Sequence, residues 1–474
     1  YNTAAGWRSL RSNTTGQRNT ATGRSALTNN TNGSYNTASG MYALTKNTTA
    51  SNNTAAGYRA LYFNTTGANN TAFGKDTLYT NTTGANNSAF GKDALEFNTT
   101  GSNNTAFGNY ALDKNTTAND NSAFGDGAMY SNTTGHSNTA AGRHALNANT
   151  TGHSNAATGY QSLYSNTTGT YNTANGWKAL HLNTTGGDNT ATGIQALYSN
   201  LTGSQNTATG YALYTNTTGN YNTASGYAAL YLNTTASYNT AHGYGALYTN
   251  TTGQYNSAVG HSALYSQTTG GSNAASGYRA LYNVTTGTNN TGVGYQALHN
   301  ITTTDENTAV GHKAGRYYGT TTNVTTAVKS TFIGSATKAS ANGISNEIVI
   351  GFGAVGQGAD TVMLGGASST GGVFAYSAYN ELSDQSVKEN VVTIGNALNK
   401  VKAMRGVTYN KIGSTEGKVG VIAQEMELVL PEVVAEGSAG LKSVAYGNIV
   451  AVLIEAMKEQ QVRIEALEAQ LNNQ

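Results

Sequence analysis

The five-residue word N-T-A-x-G recurs, with small variations, 19 times between Asn2 and Asn307, and it constrains the fold more than any other feature. The copies start 17 residues apart, except that the copy at Asn206 is one residue shorter. The Gly is invariant, the Ala is nearly so, and a Leu follows in most copies, with Gly315 in the last. Such a period predicts a β-solenoid in which each copy is one coil and like residues stack on like.

The copy NTAAGYRALYFNTTGAN, residues 53–69, indicates what each position does. The invariant Gly suits a positive φ or a close approach between backbones, and the Ala leaves room for one methyl group. Asn and Thr can hydrogen-bond the backbone at the corners or form ladders with the next coil. Words such as TAFG predict short strands, whereas GYRALY fits either a strand or one helical turn. The N-x-T sequons, such as the one at Asn13, are interpreted as turn residues rather than glycan acceptors.

Composition restricts the possible partners and chemistry. Only 10% of residues are charged, the net charge is +2, and there is no Cys. We therefore predict no nucleic-acid partner, no disulfide, no cofactor and no metal site, and the lack of a long apolar run predicts no membrane insertion. The 31 Tyr recur at fixed phases of the repeat, which favours order over disorder. They either form a ladder that covers the Leu, the favoured interpretation, or present an aromatic surface to sugars.

The energetics of one coil predict a trimer. Ordering the backbone costs roughly 1–2 kcal/mol for each residue, whereas a buried Leu returns about 2–3 kcal/mol. Each coil offers one Leu, one Ala and one or two Tyr. Hydrogen bonds between coils contribute about 1 kcal/mol each, which leaves a gap that a second buried surface would close. We therefore expect three copies around one axis.

Composition divides the chain into three regions. The array covers residues 1–315, and a β-rich neck and linker covers 316–382, where STFIG, EIVIG and TVMLG read as strands. Charged residues number 28 in the first 382 positions and 20 in the last 92, which places a third, α+β domain at 383–474. There, helical spacing covers 391–404, GVTYNKI and GKVGVIAQ read as strands, and apolar residues flank the single Pro.

A long helix is predicted from Tyr446 to the end of the chain. Its apolar residues are spaced as in a heptad repeat with one polar member, Gln460, which indicates a short coiled coil. A lone helix of this length is marginal, so a partner or the body of the domain must cover the seam. The seam is formed by Leu453, Met457, Gln460, Ile464, Leu467 and Leu471.

Four motifs in order, SDQSVKEN, NALNKVKAMRGVTYN, GVIAQEMELVLPEVV and SVAYGNIVAVLIEAMKEQ, resemble the intramolecular chaperone auto-processing domain that ends many phage tail spikes and fibres. The upstream repeats resemble those of tail fibres and of trimeric autotransporter heads. The resemblance implies trimerisation, chaperone action on the preceding β-structure, and release through a Ser-Lys dyad, with Ser383 and Lys388 at the matching positions. The family usually has a basic residue three positions after the serine, where this chain has Ser386.

The residues themselves leave two interpretations of this segment open. A Ser hydroxyl needs a base to become a nucleophile, and a Lys can be that base when burial lowers its pKa. No His lies in 383–474, so a Ser-His-Asp arrangement within this domain is excluded. The bond cleaved would be Leu382–Ser383 or Ser383–Asp384. Alternatively, Ser383 and Asp384 cap a helix and Lys388 is solvated on its first turn.

Three functions are compared. The favoured one is a structural, receptor-binding tail fibre on a phage or phage-like particle, assembled by a chaperone domain that acts once in cis as a serine-type endopeptidase. Its partners are a host cell-surface glycan or protein and, through a missing N-terminal region before Tyr1, an upstream tail or baseplate component. The second is an adhesin or ice-binding solenoid with an uncleaved trimerisation domain, on the surface of an extracellular particle. The third, a glycan-degrading spike, is disfavoured because the acidic residues are sparse and Asp93 and Glu96 look like chance neighbours.

Overall fold

The computed structural model describes residues 1–319, 321–366, 385–412, 415, 417–436 and 440–473. Leu382, Ser383 and Asp384 lie outside these ranges.

Each copy of the repeated word forms one three-residue strand of a β-solenoid. Successive strands pair in parallel and in register, so that Thr54 lies beside Thr71 and Ala55 beside Ala72. The predicted stacking of like on like is confirmed. The strands are β1 Thr3–Ala5, β2 Thr20–Thr22, β3 Thr37–Ser39, β4 Thr54–Ala56, β5 Thr71–Phe73, β6 Ser88–Phe90, β7 Thr105–Phe107, β8 Ser122–Phe124, β9 Thr139–Ala141, β10 Ala156–Thr158, β11 Thr173–Asn175, β12 Thr190–Thr192, β13 Thr207–Thr209, β14 Thr223–Ser225, β15 Thr240–His242, β16 Ser257–Val259, β17 Ala274–Ser276, β18 Thr291–Val293 and β19 Thr308–Val310.

The GYRALY segment is neither of the two structures that its sequence left open. It is a series of turns in which Arg59 has a φ of 56° and Leu61 a φ of 54°. Left-handed backbone costs a residue other than Gly about 1–3 kcal/mol, so the surroundings must enforce it. The Leu61 amide donates to the Thr77 carbonyl of the next coil at 3.0 Å, and the same bond recurs from coil to coil. Contacts between coils therefore hold a conformation that local propensity disfavours.

The interior of a coil is small and closely packed. Ala55, Ala60 and Leu61 are completely buried, as the near-invariance of the Ala and Leu positions predicts. Gly57 has a φ of 136°, and a Cβ added there would lie 2.2 Å from the Gly74 carbonyl oxygen. Both of the expected reasons for an invariant Gly, a positive φ and a close backbone approach, hold at this position.

Two columns of Asn side chains run along the inside of the solenoid rather than at exposed corners. In the first Asn column, formed by the Asn that opens each repeated word, the Asn53 Oδ1 accepts from the Asn70 amide at 2.9 Å. In the second Asn column, formed by the Asn of N-T-T-G, the Asn64 Nδ2 donates to the Asn47 Oδ1 at 3.0 Å. Both Asn53 and Asn64 also donate to the Gly67 carbonyl. These amides satisfy buried backbone that apolar side chains would leave unpaired.

The neck continues the same sheet, which has 22 strands among the described residues. Its core becomes more apolar, because Ala309 is followed in register by Phe332, Val349 and Met363. Gly315, which stands where other coils have Leu, makes room for this change, since a Cβ there would lie 2.7 Å from the Phe332 ring. The predicted strands are confirmed as β22 Thr331–Ile333, β23 Ile348–Ile350 and β24 Val362–Leu364, with a hairpin of β20 Tyr317–Tyr318 and β21 Thr322–Asn323 before them.

The C-terminal region is a small α+β unit. The helix expected over 391–404 is shorter than predicted, because Asn396 has a left-handed φ of 56° and the helix begins after it. The end of the predicted strand GKVGVIAQ belongs to a helix instead. The helices are α1 Ala397–Ala403, α2 Ala423–Val429 and α3 Tyr446–Asn472, with 3-10 turns at Gln385–Val387 and Pro431–Val433. The antiparallel strand pairs are β25 Val407–Asn410 with β26 Gly417–Gly420, and β27 Val434–Glu436 with β28 Lys442–Val444.

Candidate functional site

Of the two predicted dyad residues, the structure describes the lysine. Lys388 follows the 3-10 turn Gln385–Val387, and its amide donates to the Gln385 carbonyl at 3.2 Å. Its side chain is exposed in the single chain. Ser383 and the two candidate cleavage bonds beside it fall outside the described residues, so the dyad stays a prediction.

A carboxylate on α3 holds the start of α1. The Glu459 Oε2 accepts from the Leu398 amide, and its Oε1 accepts from the Ala397 amide, each at 2.9 Å. The first amides of a helix have no partner within the helix, so this carboxylate stabilises α1 from outside it. The same two bonds favour the ionised form and lower the pKa of Glu459. Residues about 60 positions apart in sequence are thereby joined.

A compact core joins the three helices. Ala397, Met426, Val433, Val452 and Ala456 are buried together. The apolar residues predicted to line one face of α1 pack against this core at its edge, and the residues on both sides of the single Pro contribute to it. The core uses only one face of α3, which leaves the remaining faces of that helix to solvent in the single chain.

The heptad seam lies on one of those remaining faces. Met457 is 73% exposed and Leu471 is 74% exposed, whereas Val452 and Ala456 on the core face are buried. Further apolar side chains of this region are also exposed, including Val392 at 84% and Leu428 at 87%. A row of exposed apolar side chains along one helix face is the pattern that interaction surfaces show. The body of the domain therefore does not cover the seam in the single chain.

The aromatic side chains of the array form rows along the rod. In the Leu-side row, which follows the buried Leu, ring centroids lie 5.0–5.4 Å apart and the rings are stacked. In the Gly-side row, which follows the invariant Gly, the spacing is 4.9–5.5 Å. The Leu-side row is Tyr164, His181, Tyr198, Tyr214, Tyr231, Tyr248, Tyr265, Tyr282 and His299, and the Gly-side row is Tyr211, Tyr227, Tyr244, His261, Tyr278, Tyr295 and His312.

These rows support the interpretation of the Tyr residues as ladders between coils. Stacked neighbours cover the faces of the rings, so a sugar cannot stack on them except at the ends of a row. What the rows present to solvent is ring edges and phenol hydroxyl groups.

The carboxylates of Asp76, Asp93, Glu96 and Asp113 lie near one another on the rod. Burial and the charges of Asp113, Asp93 and Asp76 together raise the pKa of Glu96. Cations accompany the cluster: Arg59 pairs with Asp76 at 2.6 Å, and lysines pair with Asp93 and Asp113. The inference that Asp93 and Glu96 are mere chain neighbours was incomplete, since stacking of coils at the 17-residue period brings the other two carboxylates beside them. Within the described ranges, no group of side chains is arranged to hold a metal ion.

No helix in the part of the chain that the structure describes is both long enough and apolar enough to cross a bilayer.

Comparison with known proteins concerns the C-terminal region. Residues 383–435 match the family described as chaperone of endosialidase. The chain is 40% identical over 98 residues to the long tail fiber protein Gp37 of Enterobacteria phage K3, and equally to that of Enterobacteria phage T2. The matches cover 19% of this chain but only 8% and 7% of those relatives. The chain therefore carries a C-terminal domain of the chaperone-of-endosialidase family, and together with its β-solenoid it fits a phage tail fibre that ends in such a domain.

Proposed function

We propose that the chain is a structural and receptor-binding tail fibre of a phage or phage-like particle, whose C-terminal domain trimerises the fibre, folds it, and is then released. The observation that carries the proposal is the exposed seam on α3, next to a family match that covers residues 383–435. Two further copies of the same chain are the occupant that the heptad spacing favours. The seam would bury its apolar side chains only in that assembly.

We expect the domain to set the register in which the three rods align. The coils are nearly interchangeable, so slipped pairings between three rods cost little. Joining the C-termini first, through the three α3 helices, would fix one register before the rods associate. The single chain already buries its own Ala and Leu column, so the trimer is expected to align preformed coils rather than to complete their cores.

Release would follow from assembly. Packing of neighbouring copies around Lys388 would remove its side chain from water, which favours the neutral amine. The amine would take the proton from the Ser383 hydroxyl, and the oxygen would attack the carbonyl of an adjacent peptide bond. The departing amine would receive the proton, and water would then hydrolyse the ester. The exposure of Lys388 in the single chain is consistent with a dyad that forms only on assembly.

Denaturing gels of the expressed chain test the cleavage. Wild type should yield a C-terminal fragment of 92 residues if the Leu382–Ser383 bond breaks, or of 91 if the Ser383–Asp384 bond breaks. Ser383→Ala and Lys388→Ala should each leave the full 474 residues intact. Ser386→Ala, which removes a hydroxyl from the same segment, is the matched control and should be cut. Cleavage of Lys388→Ala at the wild-type bond would contradict the dyad.

Sedimentation and truncation test the assembly. Leu467→Lys places a charge on the seam and should abolish the trimer, whereas Ala466→Lys, one residue away and outside the seam, should not. A chain that ends at Leu382 should aggregate on expression, because nothing aligns its rods. Soluble, folded rods from that truncation would rule out the chaperone role. If a panel of enterobacteria binds no wild-type fibre, the receptor-binding role fails separately.

The in-register Thr at the start of most strands supports a second candidate, an ice-binding or adhesive solenoid. Thr54 and Thr71, for example, lie side by side in adjacent coils. The next outward position in the strands carries Phe73 and Phe90 in stacked contact, so the hydroxyl-bearing face is interrupted. For this reason the fibre is ranked first. Thermal hysteresis in solutions of the purified chain would favour the second candidate, and its absence would exclude ice binding.

A further inference from the structure

A groove runs between the Leu-side row and the Gly-side row of aromatic side chains. In every coil but the shortened one, one residue stands between the two rows, directly after the Gly-side aromatic position, and it has the left-handed backbone described above. In most coils this residue, called here the spacer, is large and fills the groove. The Arg59 guanidinium lies 4.9 Å from the Tyr58 ring and 4.6 Å from the Tyr79 ring. Arg279 lies 5.2 Å from the Tyr278 ring and 5.1 Å from the Tyr282 ring.

In four successive coils the spacer is absent or small, and Ala228 on the floor of the groove is 4% exposed. The shortened copy at Asn206 lacks the spacer altogether, and the next three coils have Ala228, Gly245 and Ser262 there. Without its spacer, Tyr211 leans across, so that its hydroxyl lies 3.4 Å from the Tyr231 hydroxyl. The open groove has a volume of about 320 Å³. Its lining consists of Tyr211, Tyr227, Ala228, Tyr231, Tyr244, Tyr248 and Tyr265.

The groove is polar but carries no net charge. Between Asp188 and Arg279 the sequence contains no Asp, Glu, Lys or Arg. Burial raises the pKa of Tyr211 and of Tyr265, so these phenols stay protonated and can donate as well as accept hydrogen bonds. Along the walls a charged ligand would find no charge to pair with, whereas a ligand rich in neutral hydroxyl groups would match them.

The spacing of the walls also selects the ligand. Ring centroids repeat every 5.0–5.4 Å along the Leu-side row, from Tyr214 through Tyr231 and Tyr248 to Tyr265. This repeat is close to the advance of one sugar residue in an extended polysaccharide. A chain of sugars lying along the rod could therefore make the same contact in each coil, and Arg279 closes the groove at one end.

We propose that this groove binds a neutral glycan chain, lying parallel to the fibre axis and held by hydrogen bonds to Tyr hydroxyls rather than by stacking on ring faces. The proposal rests on the receptor-binding role proposed above and assigns it to four coils in the C-terminal half of the array.

Refilling the groove tests the proposal. Ala228→Arg restores a spacer that other coils carry on the same backbone, since Ala228 has a φ of 57° and Arg59 one of 56°. The matched control is Gln161→Arg, with a φ of 53°, in a coil whose spacer is already large. Binding of full-length chains would be measured by calorimetry against maltoheptaose, cellohexaose and mannohexaose, with oligogalacturonate as the acidic comparison.

Wild type and Gln161→Arg should bind at least one neutral probe, and Ala228→Arg should bind it at least tenfold more weakly. Tyr248→Phe, which keeps the ring in its row and removes one hydroxyl, should also weaken binding. The proposal is overturned if no neutral probe binds, if only the acidic probe binds, or if Ala228→Arg binds as wild type does. It is overturned too if Ala228→Arg changes the oligomeric state, since the groove would then be an interface between copies. If Ala228→Arg fibres adsorb to cells as well as wild-type fibres do, the groove is not the receptor site, whereas the proposed fibre function is unaffected.

Discussion

The second Asn column ends at a defect that can be repaired. It runs from Asn13 to Asn250, and after Gln267 the same position is apolar, beginning with Val284. Both amide atoms of Gln267 and the Oδ1 of Asn250 are buried without a hydrogen-bond partner among the described residues. Because Gln has one more methylene than Asn, its amide lies beyond the position from which an Asn Nδ2 would donate to the preceding Oδ1 of the column. We predict that Gln267→Asn stabilises the rod.

The magnitude follows from the number of atoms that regain partners. In an intact coil the Asn166 Nδ2 donates to the Asn149 Oδ1 at 2.8 Å and to the Gly169 carbonyl at 3.0 Å. With the same geometry at position 267, the introduced Asn Nδ2 would pair with the Asn250 Oδ1. Only one atom would then stay unpaired instead of three, namely the introduced Oδ1, which faces Val284. Each unpaired buried group costs about 1–3 kcal/mol. The loss of one buried methylene reduces the gain by about 0.8 kcal/mol. The net expectation is about 1–5 kcal/mol in favour of Gln267→Asn.

Hydrogen exchange measures this locally. The Thr251 amide donates to the Thr268 carbonyl, and the Thr268 amide to the Thr285 carbonyl, so both report opening at the defect. Their exchange in Gln267→Asn should be at least fivefold slower than in wild type. The reverse change in an intact coil, Asn166→Gln, should speed exchange in the coils around it. Unchanged or faster exchange at Thr268 in Gln267→Asn would refute the assignment of these atoms as unpaired.

Three further outcomes are expected. Gly315→Leu should destabilise the neck by about 1–3 kcal/mol because the added side chain overpacks against Phe332. Adding Phe332→Ala to that variant should restore the thermal midpoint, and an unrestored midpoint would contradict the inference that Gly315 makes room for the Phe332 ring. Burial lowers the pKa of His299, so as pH falls below about 6.5 this His takes up a proton in the unfolded chain before it does so in the folded chain, which favours unfolding. The thermal midpoint should therefore drop more between pH 7 and pH 5 in wild type than in His299→Tyr, and equal drops would refute this. The hydrogen bonds from the two α1 amides lower the pKa of Glu459, so the stability that its carboxylate contributes is complete above the ordinary Glu pKa and is lost as pH falls through the lower folded value. Glu459→Gln should speed hydrogen exchange of the α1 amides at pH 7, and unchanged exchange there would argue against the cap.

Several features follow from the sequence because they repeat at one spacing. Contacts between like residues 17 positions apart identify the solenoid, the register of its strands and the buried Ala and Leu columns. The heptad spacing on the last helix identifies its seam in the same way. The open groove also had a signal in the sequence, namely one missing residue followed by Ala228, Gly245 and Ser262 at one phase. The aromatic positions alone do not reveal it, because the groove depends on the residue between them.

Other features depend on contacts that no period describes. The left-handed turn at Leu61 is set by hydrogen bonds to the next coil, and the placement of Asn53 and Asn64 inside rather than at corners depends on carbonyl groups that only the closed coil turns inward. Glu459 reaches the start of α1 across about 60 residues. A periodic sequence predicts which residues stack, because stacking follows from the period. Which side of the chain faces inward, and what lies opposite, is decided by the closing of the coil, where backbone groups must find partners away from water.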